Sequence, residues 1–330
     1  MLDPSSSRPG LPLGPDDPRR LGGHRLVRRL GEGGQGVVYL AVPDGRGRDR
    51  DRDRDRDHDR DRDQGPGVAL KLLRGGAAAT PRARSRFVKE AHAAREVTSR
   101  HVARVLEADV TGDRPYIVSE FVDGPSLQES VEENGPFPAG RLRRIALRSA
   151  AGLAAIHRAG VVHRDFKPGN VLLGPDGPKV IDFGVARTAD ATPVTTHGAV
   201  GTPAYMAPEQ IEDEPVGPPA DVFAWAATVV FAATGRPPFG GGPSAAVMRR
   251  IVTRPPDLGD MRGELRDLVA SCLDKNPAAR PTARQIVRAL RDGETPAPQP
   301  RPTRIPRYRW RMMLALAAVV TAGFALGVLL

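Results

Sequence analysis

The sequence predicts an α+β fold in two unequal halves, a small strand-rich one and a larger helical one, with one apolar helix at the C-terminal end. Three observations predict it. Apolar and polar residues alternate in short runs up to about residue 122, and Ala/Leu/Arg stretches at helical spacing dominate from there to residue 291. The last 19 residues then carry no charge at all. A chain of 330 residues is long enough to bury a sizeable core, which excludes a peptide hormone or a small stapled scaffold.

Residues 1–23 are rich in Pro, Gly, Ser and charge and are expected to form a disordered leader. They have no basic start followed by an apolar run, so they are not a secretory signal. The strand-rich half is expected over 24–122. It opens with HRLVRRLGEGGQGVVYLAV from His24, whose alternation around a glycine cluster reads as strand, turn, strand. Residues 46–63 follow, with eight Arg and eight Asp. Their charges cancel, so the tract reads as a solvated low-complexity insertion, and a nucleic-acid arm, which needs unbalanced positive charge, is not expected. VALKLL (68–73) is a short strand, 81–100 a charged amphipathic helix, and YIVSEFV (116–122) another strand.

The helical half is expected over 123–291, with helices at 139–159, 220–234, 264–273 and 282–291. Residues 292–311 form a Pro/Arg linker, and 312–330 (MMLALAAVVTAGFALGVLL) follow. At 1.5 Å per residue that stretch spans roughly 28 Å, close to the hydrocarbon thickness of a bilayer. Tyr308 and Trp310 flank it, and Arg304, Arg307, Arg309 and Arg311 precede it, so a spanning helix with its N-terminal side in the cytoplasm is expected. The formal charge of +10 is basic without being extreme. The single cysteine, Cys272, permits no intramolecular disulfide and suits a reducing compartment.

The chemistry-bearing residues fall in three groups. Gly31, Gly33 and Gly36 fit G-x-G-x-x-G, a weak signal alone. They sit at a strand–turn–strand, which argues against a dinucleotide fold and suits backbone N–H groups approaching phosphate oxygens, with Leu30 and Val38 flanking a flat ring. The strongest signal is His163-Arg164-Asp165-Phe166-Lys167-Pro168-Gly169-Asn170, in a chain with only five Lys and three Asn. Twelve residues later comes Asp182-Phe183-Gly184. Between them, Val171–Leu173, the turn Gly174-Pro175-Asp176-Gly177, and Lys179–Ile181 read as a hairpin, which sets Asn170 and Asp182 side by side. Paired oxygen donors of this kind suit Mg²⁺ held together with substrate phosphates.

With these motifs in this order over roughly residues 24–291, the chain resembles the eukaryotic-type serine/threonine protein kinases of bacteria. The resemblance implies a bilobal kinase fold, ATP and Mg²⁺ as the phosphoryl donor and its metal, and proteins bearing Ser or Thr as substrates. It implies that Lys71 grips the α- and β-phosphates, with Glu90 as its ion-pair partner and Glu96 as the alternative. Asp165 would accept the substrate hydroxyl proton, Lys167 would neutralise the moving phosphoryl group, and Asn170 and Asp182 would hold the metal. Val38, Ala69 and Leu172 would sandwich the adenine, with Glu120 to Val122 as the hinge whose backbone reads its edge.

Gly201-Thr202-Pro203-Ala204-Tyr205-Met206-Ala207-Pro208-Glu209 resembles the peptide-docking segment of protein kinases and disfavours a small-molecule kinase. Arg280 is the expected salt-bridge partner of Glu209. Arg164 suggests control by an activation-loop phosphate, with Thr195 and Thr196 the candidate sites and ordinary loop threonines the alternative. Self-association for phosphorylation between copies is compatible with a membrane tether. A pseudokinase or scaffold remains the competing class, although Lys71, Asp165, Asn170 and Asp182 are all present. Ala94, one turn after Glu90, is smaller than the family's usual residue there and is expected to loosen its helix.

Overall fold

The computed structural model describes residues 10–33, 36–44, 67–73, 81–109, 112, 114–184 and 203–292, with side chains omitted over 81–87. The Arg/Asp tract, Thr195, Thr196, Thr202, the linker beyond Asp292 and the apolar stretch 312–330 lie outside them. Among the described residues no helix is long and apolar enough to cross a membrane.

The first half is a six-stranded antiparallel sheet. Its strands are β1 (Arg20–Leu21), β2 (His24–Gly33), β3 (Gly36–Pro43), β4 (Val68–Leu73), β5 (Val105–Asp109) and β6 (Tyr116–Glu120), in spatial order β1-β2-β3-β4-β6-β5. Helix α1 (Pro81–Arg95) connects β4 to β5 and ends before the expected residue 100. β2 and β3 form the expected hairpin, with Gly33 opposite Gly36. Gly36 is obligatory there. Its φ of +152° is outside the range of L side chains, and a Cβ would lie 2.0 Å from the Leu72 carbonyl oxygen.

Residues 10–23 correct the expectation of a disordered leader. Leu11 and Arg29 exchange backbone hydrogen bonds of 2.8 and 2.9 Å, and β1 adds an outer strand beside β2. Leu13 and Leu21 pack on the sheet's apolar cluster around Tyr39, Leu70 and Tyr116. The Tyr39 hydroxyl donates to Asp17 Oδ1 at 2.7 Å, a bond that holds the Asp17 carboxyl below its usual range. Average composition concealed two leucines and one aspartate that suffice to dock the segment.

The second half contains α2 (Leu127–Asn134), α3 (Ala139–Arg158), the hairpin β7 (Val171–Gly174) and β8 (Gly177–Val180), α4 (Pro208–Ile211), α5 (Pro218–Thr234), α6 (Ser244–Thr253), α7 (Gly263–Cys272) and α8 (Ala283–Asp292). α5 is the axle. Its residues Ala220 to Ala232 are all buried, which is why its sequence shows no polar stripe. Proline opens it, and Gly235, at φ +74°, ends it by donating its N–H to the Phe231 carbonyl. Trp225 at its centre donates its indole N–H to Ser149 Oγ of α3 at 3.1 Å, satisfying a buried polar group inside the core. Cys272 is buried in the same core, which pushes its thiol up and leaves it a packing residue.

The small side chain of Ala94 does not leave α1 loose, because the residue is fully enclosed, at 0% exposure. Leucine at that position overpacks a filled site, at about 1–3 kcal/mol. Ala94→Leu is expected to lower the melting temperature by several degrees without raising basal turnover, measured by calorimetry and by phosphate incorporation.

Candidate active site

The site lies between the sheet and the α3–α5 core, and each wall has a local cause. On the sheet, register sets Val38 opposite Lys71, with Ala69 two residues before it on the same face. Leu30 falls at a β-bulge between Arg29 and Gly31, half-buried as Val38 is. A Cβ on Gly31 or Gly33 would meet no atom within 4 Å, so the backbone of β2 borders open space. Across from it, Leu172 stands on β7, and Val122 is buried in the connection after β6.

Glu120, which begins the expected hinge, has its side chain engaged by neighbours. Its carboxylate takes an ion pair from Lys179 on β8 and a hydrogen bond from the Arg104 N–H at 3.3 Å. Its backbone N–H donates to the Arg104 carbonyl at 2.8 Å.

The hairpin β7–β8 does what its turn sequence predicts. Val171 pairs with Val180, and the Ile181 N–H donates to the Asn170 carbonyl at 3.0 Å, joining the two open ends of the hairpin. Asn170 therefore lies beside the segment that carries Asp182. Its Nδ2 donates to the Asp165 carbonyl at 2.8 Å and reaches Asp165 Oδ2 at 3.4 Å. Lys167 Nζ donates to the same Oδ2 at 2.8 Å, and Lys71 Nζ to Asp182 Oδ2 at 3.0 Å. Lys71, Asp165, Lys167, Asn170 and Asp182 are thus linked in two contiguous charge-assisted groups.

Asp221, in the helix expected over 220–234, is the anchor of the loop. It is 1% exposed. Its Oδ2 accepts from the His163 N–H and from His157 Nε2, both at 2.8 Å, and its Oδ1 from the Arg164 N–H at 2.8 Å. Those bonds hold Arg164 at φ +63°, a conformation its side chain disfavours. Asp182 also has a positive φ, +58°. His163 is a structural group: Nε2 donates to the Ile181 carbonyl at 3.0 Å, Nδ1 accepts from the Asp165 N–H at 3.4 Å, and burial holds the ring neutral. Its ring meets Phe166 edge-on at 5.3 Å, which ties the loop to the core.

The expected pairing of Glu90 with Lys71 is corrected by the structure. Arg164 Nη1 donates to Glu90 Oε1 at 2.9 Å, while the Lys71 ammonium is engaged by Asp182. The physical reason is competition: the longer, forked guanidinium of Arg164 reaches α1, and Asp182 offers Lys71 a closer carboxylate. Glu90 Oε2 is buried with no hydrogen-bond partner among the described residues, so half of that carboxylate is unsatisfied.

Behind the loop, Arg280 holds Glu209 through two bonds of 2.6 and 2.9 Å, as expected, with both side chains buried. Gln210, the next residue, donates from Nε2 to the Arg164 carbonyl at 3.2 Å and joins the docking segment to the catalytic loop.

The donor set fits a nucleotide triphosphate with a divalent cation. It offers an ammonium, two oxygen ligands from Asn170 and Asp182, a glycine-bordered space, and apolar faces above and below. Comparison with known proteins shows the family. The protein kinase domain family matches residues 58–290. The chain belongs to the protein kinase family.

Its relatives set it on the bacterial serine/threonine branch. It is 43% identical over 286 residues to the probable serine/threonine-protein kinase PkwA of Thermomonospora curvata, covering 86% of this chain and 36% of that protein. With the serine/threonine-protein kinase AfsK of Streptomyces coelicolor it shares 42% identity over 268 residues, covering 80% of this chain and 31% of that one. The kinase thus spans about a third of the length of these relatives. Among solved structures, the Mycobacterium tuberculosis PknI kinase domain aligns with a TM-score of 0.62 at 25% identity, over 83% of this chain and 98% of that one. Rad53 in complex with AMP-PNP aligns with the same TM-score at 22% identity, over 80% and 64%, a likeness of fold.

Proposed function

We propose that this kinase transfers the γ-phosphoryl group of ATP, with Mg²⁺, to serine and threonine hydroxyls of protein substrates. The observation that carries the reading is the linked set Lys71–Asp182 and Lys167–Asp165–Asn170, with bonds of 2.8 to 3.0 Å between its members. Asp165 is the acceptor for the hydroxyl proton, and Lys167, bonded to it, carries positive charge to where the phosphoryl group moves. Asn170 and Asp182 are the metal ligands, and Lys71 positions the phosphates. A bound Mg²⁺ supplies neutralisation of phosphate charge; positioning and electrostatics then account for most of the rate. The complex of Rad53 with AMP-PNP, which shares the fold, supports a nucleotide in this cleft.

Arg164–Glu90 supports a resting arrangement. A phosphate on Thr195 or Thr196 brings about two negative charges and competes for the Arg164 guanidinium. Glu90, with its second oxygen already unsatisfied, is then released to Lys71. The uncharged stretch 312–330 and the arginines before it support tethering of the catalytic domain to the cytoplasmic face of a membrane. Tethering concentrates copies and favours phosphorylation of one by another.

The test is phosphosite mapping of the full chain after incubation with labelled ATP and Mg²⁺, beside Lys71→Met. The parent is expected to carry phosphothreonine at 195 or 196 and the variant none. Equal labelling of the two removes the proposal.

A further inference from the structure

A second concavity opens between the C-terminal end of α3, the N-terminal end of α5, α8 and the segment 99–101. None of the residues assigned to nucleotide or metal lines it. Its volume is about 1010 Å³, the upper end of the range for small-molecule sites. Its floor is apolar, formed by Ala154, Ala155, Val222 and Val287. Its rim carries four guanidinium groups, those of Arg100, Arg158, Arg284 and Arg291.

The charge around this cavity is unbalanced. No Asp or Glu lines it. Among the described residues no carboxylate pairs with any of the four arginines, whereas Arg164 and Arg280 each hold a glutamate. His101, also in the lining, registers the field. Burial first, then the charges of Arg100, Arg148, Arg291 and Lys179, hold its ring neutral. Arginines gathered around a recess repel one another unless an anion lies between them, and their planar forks match phosphate oxygens. The apolar floor adds a second requirement that inorganic phosphate does not meet.

We propose that this cavity binds an anionic phospholipid, with its phosphate among the rim arginines and its first acyl carbons on the alanine and valine floor. The described chain ends at Asp292, one residue past Arg291 of the rim, and continues toward the arginines of 301–311 and the uncharged 312–330. The 19 residues 293–311 reach at most roughly 65 Å when fully extended. A bilayer carrying the C-terminal stretch would therefore stay within reach of this face. That source of lipid rests on the membrane reading above; the binding chemistry does not.

The test uses the full chain in solution and short-chain lipids below their micelle concentration, so it does not depend on membrane insertion. Dihexanoyl phosphatidylglycerol is titrated against dihexanoyl phosphatidylcholine, glycerol 3-phosphate and inorganic phosphate, with binding followed by calorimetry. Saturable binding of phosphatidylglycerol, at least about tenfold tighter than of the other three, is expected from the added charge-assisted bonds and apolar burial. The exposed pair Arg158→Glu/Arg284→Glu should weaken it at least about tenfold. The equal charge change Arg249→Glu/Arg254→Glu, on α6 and just after it, should leave it unchanged. Equal affinity for both lipids, or equal loss in both double variants, overturns the proposal. Glycerol 3-phosphate binding as tightly as the lipid overturns it too, because the floor would then contribute nothing. Loss of kinase activity or of membrane retention alone would count against the earlier reading and leave this one standing.

Discussion

Replacing Asp165 by Asn is expected to lower phosphate incorporation by about 10²–10⁴-fold, the range for loss of a proton acceptor at a reacting group. The fold should hardly notice. Asparagine keeps the shape and one acceptor oxygen for Lys167 Nζ, now 2.8 Å from Oδ2, and the Asn170 bond to the backbone carbonyl is independent of the side chain. Lys167 is 38% exposed, so water can solvate its charge when the carboxylate is gone. The variant should therefore keep its melting temperature within about a degree and its nucleotide affinity within a few-fold, as read by calorimetry and nucleotide titration. A variant that incorporates phosphate at the parental rate removes Asp165 from the role assigned to it.

That separation of chemistry from stability explains which parts of the site were legible in the sequence. The hairpin after Asn170 was readable because Gly174-Pro175-Asp176-Gly177 can hardly do anything but turn, and a turn dictates which residues meet at its open end. The Glu209–Arg280 pair was readable through resemblance, and burial then makes it obligatory. The partner of Glu90 was not readable. Lys71 and Arg164 both carry a positive charge, and the three-dimensional packing gives Arg164 to Glu90 and Lys71 to Asp182. Spacing along the chain holds no such information.

Other elements carry signals that periodicity does not register. Helix α2 shows only Leu127 and Val131 as buried apolar residues, too few for periodicity to register. Yet Ser126-Leu127-Gln128-Glu129 is a capping box. Ser126 Oγ accepts from the Glu129 N–H at 3.1 Å, and the Ser126 N–H donates back to Glu129 Oε2 at 2.7 Å. The role of Asp221 had no local signal. A carboxylate in an otherwise apolar helix is anomalous, but its partners lie 57 to 64 residues away, and only the packing of α3 against α5 brings them to it. The docking of segment 10–23 is hidden for the opposite reason: its average composition is polar, and the single residues Leu13, Asp17 and Leu21 decide.

Arg280 carries the second large effect. Five bonds leave its guanidinium: two to Glu209, and one each to the carbonyls of Pro219, Asp274 and Lys275. Arg280→Met keeps most of the stem's packing but leaves Glu209, 3% exposed, as a buried charge without its cation. Breaking such a pair costs about 3–5 kcal/mol, a large fraction of the net stability of a domain. The variant is expected to lose that much in urea unfolding, with a melting temperature lower by roughly ten degrees. The reciprocal double variant Glu209→Leu/Arg280→Met should recover much of the loss, since buried ion pairs replaced by apolar groups of similar volume are often neutral. Recovery should stop short of parental stability, because the Pro219, Asp274 and Lys275 carbonyls would each have lost a donor. A single variant costing less than about 1 kcal/mol would mean that water already reaches Glu209, and that the docking segment is held to the core by something other than this pair.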